Sequence, residues 1–358
     1  MTSQYKITDS NLHHPSYVIR SLAPIRICDN GGWTDTWFAE HGEIFNLAVS
    51  PYAEVKIVAS EAKQKPTQLI INAQNYGDRY HYQPGSGWYK HPLIEATLTY
   101  MQIPDNLSLE VNLFSGAPPG ASTGTSAAIT VALIGALDGL TLGRLTPHEV
   151  ASTAHKIETE KLGQQSGIQD QICSAYGGIN FINMHRYPQA TVDQISVPEY
   201  TKRKLEQQLV LIYLGKSHSS SNIHELVIRS LEDAGPNCNQ LNNLRRTARQ
   251  SCDALLDNDL SAFGSALVEN TNAQRLLHTG LIGVDATKVI GIARRYGALG
   301  WKVNGAGGEG GSITILCNEQ IESKHQMIRE IEAKDNHYRN IPIKLSNHGL
   351  QIETTQHS

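Results

Sequence analysis

The sequence predicts an α+β protein built as two domains. Its 358 residues exceed what one hydrophobic core usually supports, so two domains are expected. Strand-like and helix-like runs mix along the chain without a strict βαβ rhythm. The apolar run Ala127–Leu137, long enough for about three helical turns, follows a glycine-rich loop and marks a buried helix.

In chain order, Tyr17–Ile27 reads as an extended run into a first strand. Gly31-Gly32 then force a turn that carries Trp33, Thr34, Asp35 and Thr36. Phe45–Ala59 resumes β-branched character, with Pro51 as an interruption or edge position. Leu69–Ala73 and Tyr80–Tyr82 are expected strands, and His91–Met101 a helix. Leu107–Phe114 alternates apolar and polar residues, the pattern of a half-buried strand, and runs straight into the glycine-rich loop. Thr146–Lys161 is expected to be a helix, because Pro147 in its first turn and Glu149 after it form an N-terminal signature. A short helix starts near Asp170, Gly177-Gly178 end it, and Ile179–Met184 follows as a strand. The polar, proline-containing residues 186–200 predict a domain crossing, giving domains 1–185 and 186–358.

The second half opens with a strand at Leu209–Leu214, followed by helices near 223–232, 237–256, 259–276 and 285–296. Trp301–Asn304 is a strand into a second glycine-rich loop at 305–311. Ser312–Cys317 is a strand, Glu319–Lys334 an amphipathic helix, and Ile341–Leu345 and Leu350–Thr354 the last two strands.

Composition excludes several classes. The net charge of −4 gives no basic excess for nucleic acid or a membrane surface. No apolar run reaches transmembrane length, and the first residues are polar with no signal-peptide core. His13-His14 reads as solvated tail. The five cysteines are scattered, odd in number and form no Cys-x-x-Cys pair. They read as reduced thiols of a cytoplasmic protein.

The chemistry centres on residues 115–143. Two prolines and two glycines stop regular structure across Pro118–Gly124, and serine and threonine then alternate with glycine up to Ser126. The start of a helix offers unpaired N–H donors and a partial positive charge, and small residues let an anion approach them. Phosphate is the natural ligand, although a tight loop before a core helix needs no ligand at all. The hydroxyls of Ser122, Thr123, Thr125 and Ser126 add donors or a ligand for Mg²⁺. No Gly-Lys-[Ser/Thr] follows, so this is not a Walker A loop.

Three motifs in order resemble the GHMP kinases, the family of galactokinase, homoserine kinase, mevalonate kinase and phosphomevalonate kinase. The first is Ala23-Pro24-Ile25-Arg26 followed by Gly31-Gly32-Trp33-Thr34-Asp35. The second is Pro119-Gly120-Ala121-Ser122-Thr123-Gly124-Thr125-Ser126-Ala127, where Ser122 and Thr123 replace the usual glycine and leucine. The third is Lys302-Val303-Asn304-Gly305-Ala306-Gly307-Gly308-Glu309-Gly310, in which Glu309 departs from glycine and is expected to face solvent.

The resemblance covers the chain from about Arg20 onward. It implies a ribosomal-protein-S5-domain-2-like N-terminal domain and a ferredoxin-like α/β C-terminal domain. It further implies that Pro119–Ser126 bind ATP, and that Ser126 and Glu158 hold Mg²⁺, with Glu160 as the fallback in another register. Asp170 would accept or orient the proton of the substrate hydroxyl, and Arg26 would stand beside it. An Arg26–Asp170 ion pair could equally be structural. The resemblance puts Arg26, Trp33, Thr34, Asp35, Gly178, Gly307 and Gly308 on the substrate side.

Lys216 joins that substrate set through the loop Gly215–Asn222, which suits a sugar phosphate or a solvated crossing. The Gly31–Thr36 wording and the Gln169–Ile182 segment are most similar to the fucokinase and heptose 7-phosphate 1-kinase branch. That branch implies ATP-dependent phosphorylation of an anomeric hydroxyl of a small sugar or sugar phosphate, and includes homodimers. The alternatives are a catalytically silent sugar- and ATP-binding regulator, or a mevalonate-type kinase.

Overall fold

The computed structural model describes residues 16–62, 69–141, 145–215 and 221–357. Two sheets carry the α+β architecture. In the larger, β1 (Ser16–Asn30) runs antiparallel to β2 (Gly42–Glu61), with Tyr17 opposite Ala59 and Asn30 opposite Phe45. β2 is continuous through Pro51, where an interruption was one expectation. The proline sits at a register shift, between the pairs Pro24–Tyr52 and Ile25–Val49. A residue without a ladder donor is tolerated at such a bulge.

The same point is where β2 changes partner. Its Gly42–Leu47 half pairs with β6 (Ile179–Arg186), and its Ala53–Glu61 half with β5 (Leu107–Ser115). β3 (Leu69–Ala73) lies parallel to β5 and carries β4 (Asp78–Tyr82) on its far side. β7 (Gln189–Gln194) pairs with β6, so the stretch expected as a plain crossing holds an edge strand. Its polar character suits an edge strand exposed along most of its length. β12 (Gln351–His357) closes the opposite edge against β1.

The smaller sheet is antiparallel throughout, in the order β11 (Arg339–Ile341), β8 (Leu209–Tyr213), β10 (Ser312–Leu316), β9 (Gly300–Val303). The strand expected at 341–345 ends at Ile341, because Pro342 has no N–H to continue it; Leu345 makes only an isolated bridge to Val49.

The apolar run forms α2 (Thr125–Asp138), buried from Ala127 to Leu137 apart from Ile129, and packed on β1 and β2. α3 (Pro147–Lys156) opens with a reciprocal capping box between Thr146 and Glu149. Its continuation, Ile157–Lys161, widens into a π turn, a feature common at functional sites. α4 (Gln169–Tyr176) packs against α2 and α3.

α7 (Asn239–Leu256) covers β2, and α8 (Leu260–Leu277) packs on β9 of the other sheet. Phe263 of α8 meets Phe45 of β2 edge to face at 5.7 Å, so one core runs between the sheets. No described helix is long and apolar enough to cross a membrane.

α8 and β9 approach at backbone distance. A Cβ on Gly264 would stand 2.5 Å from the Leu299 carbonyl oxygen, and one on Gly300 2.1 Å from that of Gly264. Gly264→Ala is expected to lower stability by about 1–3 kcal/mol in urea unfolding, and a loss below about 0.5 kcal/mol would contradict this packing.

Candidate active site

Three segments that are distant in sequence meet at the end of β1. Arg26 is 4% exposed, and its guanidinium grips the Asp170 carboxylate at two points, Nε to Oδ1 at 2.7 Å and Nη2 to Oδ2 at 3.3 Å. Nη1 donates to the Ser122 carbonyl, and the Arg26 amide donates to the Thr123 carbonyl at 3.0 Å. One residue therefore ties β1 to the glycine-rich loop before α2 and to the first turn of α4. Burial opposes the charge of Arg26, but Asp170 and Asp29 outweigh it and raise its pKa.

The loop from Pro119 to Ser126 is shaped by alternate left-handed residues, Gly120, Ser122 and Gly124, at φ of +76°, +56° and +69°. A Cβ on Gly124 would sit 3.1 Å from the Asp170 carboxylate, so only glycine lets the loop lie this close. The Thr123 and Thr125 hydroxyls bond at 3.2 Å, Ala121 is buried, and the Pro119 carbonyl accepts the Tyr213 hydroxyl at 3.2 Å. Ser126 stands exposed on the first turn of α2.

A cavity of about 610 Å³ opens in front of this junction, lined by Arg26, Trp33, Asp35, Trp37, Gln169, Asp170 and others. Asp35 is buried, accepts the Gln169 amide at 3.1 Å and packs on Gly167, where a Cβ would lie 2.0 Å from the carboxylate. Burial pushes its pKa up to about 6; the Gln169 amide opposes this and the Asp170 charge adds to it. Trp33 adopts φ +78°, a strained backbone for a bulky residue, and meets His224 edge-on at 5.8 Å. Thr34 turns away from the cavity: its hydroxyl donates to the Gly31 carbonyl at 2.7 Å and sets the turn.

Glu158 lies in the π turn and accepts Gln171 Nε2 at 2.6 Å and Ser166 Oγ at 3.1 Å. Burial pushes its pKa up to about 7; the two bonds oppose this and the charge of Asp170 adds to it. A partly desolvated carboxylate that feels a second one fits a hard divalent cation such as Mg²⁺. Among the described residues no group of three or more His, Cys, Asp or Glu is placed to hold a metal ion. Glu160 instead is exposed, 3.8 Å from Lys156.

The remaining residues are placed differently. Gly178 is outside the cavity lining, its amide bonded to the Ser346 carbonyl at 2.7 Å. Gly305 and Ala306 line the cavity, whereas Gly307 accepts His224 Nε2 at 3.0 Å and the Gly308 amide donates to Leu281 at 2.8 Å. Glu309, expected to face solvent, is half-buried with Oε1 3.5 Å from the Val284 amide, at the start of α9 (Val284–Arg295). The positive end of that helix gives the carboxylate a partner. Lys216 lies outside the described residues.

Reasoning from sequence missed Asp29, Trp37, Gln169 and His224, all of which line the cavity. Asp29 carried a signal, a carboxylate between Arg26 and the Gly31-Gly32 turn, inside the first motif. His224, on α6 (Ser221–Ala234), had none short of the tertiary fold.

Because Asp35 holds its proton more tightly folded than unfolded, its contribution makes stability fall as pH rises from about 4 to about 6. Asp35→Asn is expected to flatten that fall in melts across this range, and an unchanged profile would reject Asp35 as its source.

Residues 92–178 match the family model for the GHMP kinases N terminal domain. A mevalonate kinase of Thermococcus sibiricus is 30% identical over 72% of this chain and 75% of its own. A D-glycero-alpha-D-manno-heptose 7-phosphate kinase of Campylobacter jejuni is 22% identical over 82% of this chain and 87% of its own. Among solved structures, a D-glycero-D-manno-heptose 1-phosphate kinase of Bacteroides thetaiotaomicron superposes with a TM-score of 0.72 at 22% identity, covering 94% of this chain and 98% of that one. The chain belongs to the GHMP kinase family, ATP-dependent phosphotransferases with an alcohol group as acceptor.

Proposed function

We propose that this kinase transfers the γ-phosphate of ATP to the anomeric hydroxyl of an uncharged, fucose-like sugar. The observation that carries the reading is the cavity lining. It places Asp35 and Asp170 among Trp33 and Trp37, and its one Lys or Arg among the described residues, Arg26, is already committed to Asp170. A buried carboxylate, Asp35, and a half-buried one, Asp170, with an aromatic face suit the hydroxyls and apolar face of a sugar. They repel the carboxylate of mevalonate. The first-motif wording from Gly31 to Asp35 favours the 1-kinase branch.

In this reading the N-terminal domain, 1–185, contributes the phosphate loop, and the C-terminal domain, 186–358, contributes the third motif. Asp170 aligns the acceptor hydroxyl and takes its proton as the new O–P bond forms and the bond to ADP breaks. Arg26 offsets charge on the transferring group and fixes the orientation of Asp170. The Pro119–Ser126 loop cradles the phosphates. Ser126 and Glu158 would hold Mg²⁺, which neutralises phosphate charge when bound.

A sugar phosphate such as a heptose 7-phosphate is the second reading, favoured by the relative of that name and needing Lys216 as its cation. A coupled ADP-release assay with Mg-ATP over fucose, galactose, glucuronate, mannose, heptose 7-phosphate and mevalonate separates these. Release with a neutral sugar, and ³¹P NMR showing phosphate on the anomeric oxygen, is expected. Turnover of mevalonate alone would overturn the proposal. If a sugar phosphate is the substrate, Lys216→Ala should raise its KM and leave that of neutral sugars unchanged. Asp170→Asn is expected to abolish turnover while ATP and sugar still raise the melting temperature together. Near-normal turnover in that variant would remove Asp170 from the reaction.

A further inference from the structure

Beside Arg26 lies a second buried charge pair that the transfer chemistry does not call for. Lys302 and Asp29 are each 1% exposed, with Nζ 3.3 Å from Asp29 Oδ1. Lys302 opens the third motif, where a cation reads naturally as a phosphate contact. It lies outside the cavity lining, though, and its ammonium also donates to Gln274 Oε1 and to the Val303 carbonyl. Asp29 does reach the cavity wall. Its carboxylate lies 3.8 Å from Arg26 Nη1 and accepts the Gly305 amide at 2.9 Å.

One residue back, the Cys28 amide donates to Asn304 Oδ1 at 3.3 Å, so residues 28–29 are laced to 304–305 across the two sheets. Gly305 lies directly on the phosphate loop, where a Cβ would be 3.0 Å from that of Ser122.

We propose that Asp29 is a positioning residue for phosphoryl transfer. It holds the Arg26 guanidinium from the side opposite Asp170 and seats the Gly305–Gly308 loop on the phosphate loop. Lys302 is its counter-ion and not a ligand of ATP. Two cations and two anions thus form a charge-balanced row, Lys302–Asp29–Arg26–Asp170, buried up to its partly exposed end at Asp170. Without Lys302, the Asp29 carboxylate would repel the phosphates that Arg26 attracts. Without Asp29, two cations would face each other in a water-poor site.

The inference rests on the proposed roles of Arg26 and Asp170. The test therefore compares Asp29→Asn, the charge-balanced double variant Asp29→Leu/Lys302→Met, and Asp170→Asn. It measures melting temperature and ADP release with Mg-ATP and the fastest sugar of the panel. The double variant is expected to melt close to wild type, since an apolar pair replaces an ion pair without an orphaned charge. Its kcat should still fall about 10- to 100-fold, with both KM values within about threefold.

A purely structural role predicts that kcat recovers with stability, and recovery to within about threefold would overturn the proposal. Should the double variant not fold, Asp29→Asn decides. A loss of kcat with KM retained in folded protein supports positioning, and an unchanged kcat overturns it. Turnover retained in Asp170→Asn would instead break the underlying reading of the site, whatever the Asp29 variants show.

Discussion

The Arg26–Asp170 pair is the constraint on which the rest of the structure depends. A guanidinium at 4% exposure has lost most of its water, and an unpaired charge there costs several kcal/mol. Each arm of Arg26 must therefore find an acceptor, and those acceptors lie on different elements: a carboxylate from α4 and a carbonyl from the loop before α2. Satisfying one side chain thus fixes the spacing of three segments separated by up to 144 residues. The two-point contact also sets the plane of the Asp170 carboxylate, which a single bond would leave free to rotate.

Around that pair the backbone carries unusual strain. Ser122 and Trp33 hold left-handed conformations that glycine would adopt at little cost. At residue 122 the reward is a carbonyl aimed at Arg26; at residue 33 it is an indole against the cavity and His224. The π turn at Ile157–Lys161 works in the same sense, turning Glu158 toward Gln171 while Glu160 stays in solvent. Local stability is given up where side chains must be aimed, and the continuous core between the two sheets supplies what is lost.

Much of this was legible in the sequence because it is written locally. The strand–loop–helix order around residues 119–126 and the Thr146 cap follow from local signatures and periodicity, and the approach of Arg26 to Asp170 was implied by the resemblance to the family. What escaped depends on the partner across the fold. Whether Pro51 breaks β2 depends on whether β1 can go on pairing past the bulge that holds it, and whether 189–194 form a strand depends on an edge of β6 being free. Glu309 reads as a misfit until the start of α9 is placed beside it. The burial of Lys302 against Asp29 was not legible either, since burial is not a property of a motif.

The last strand of the large sheet has a consequence for how the molecule comes into being. β12 pairs with β1 along its full length, Ser16 opposite His357 and Leu22 opposite Gln351, and Leu350 just before it fills the gap over Gly135 of α2. The strand that bears Arg26 therefore keeps an open edge until residues 351–357 have been made and have docked. A fragment cut near residue 185 would expose that edge to any passing strand. β1 and β12 act as a clasp, and the strand that carries Arg26 is flanked on both sides only once residues 351–357 have been added to the sheet.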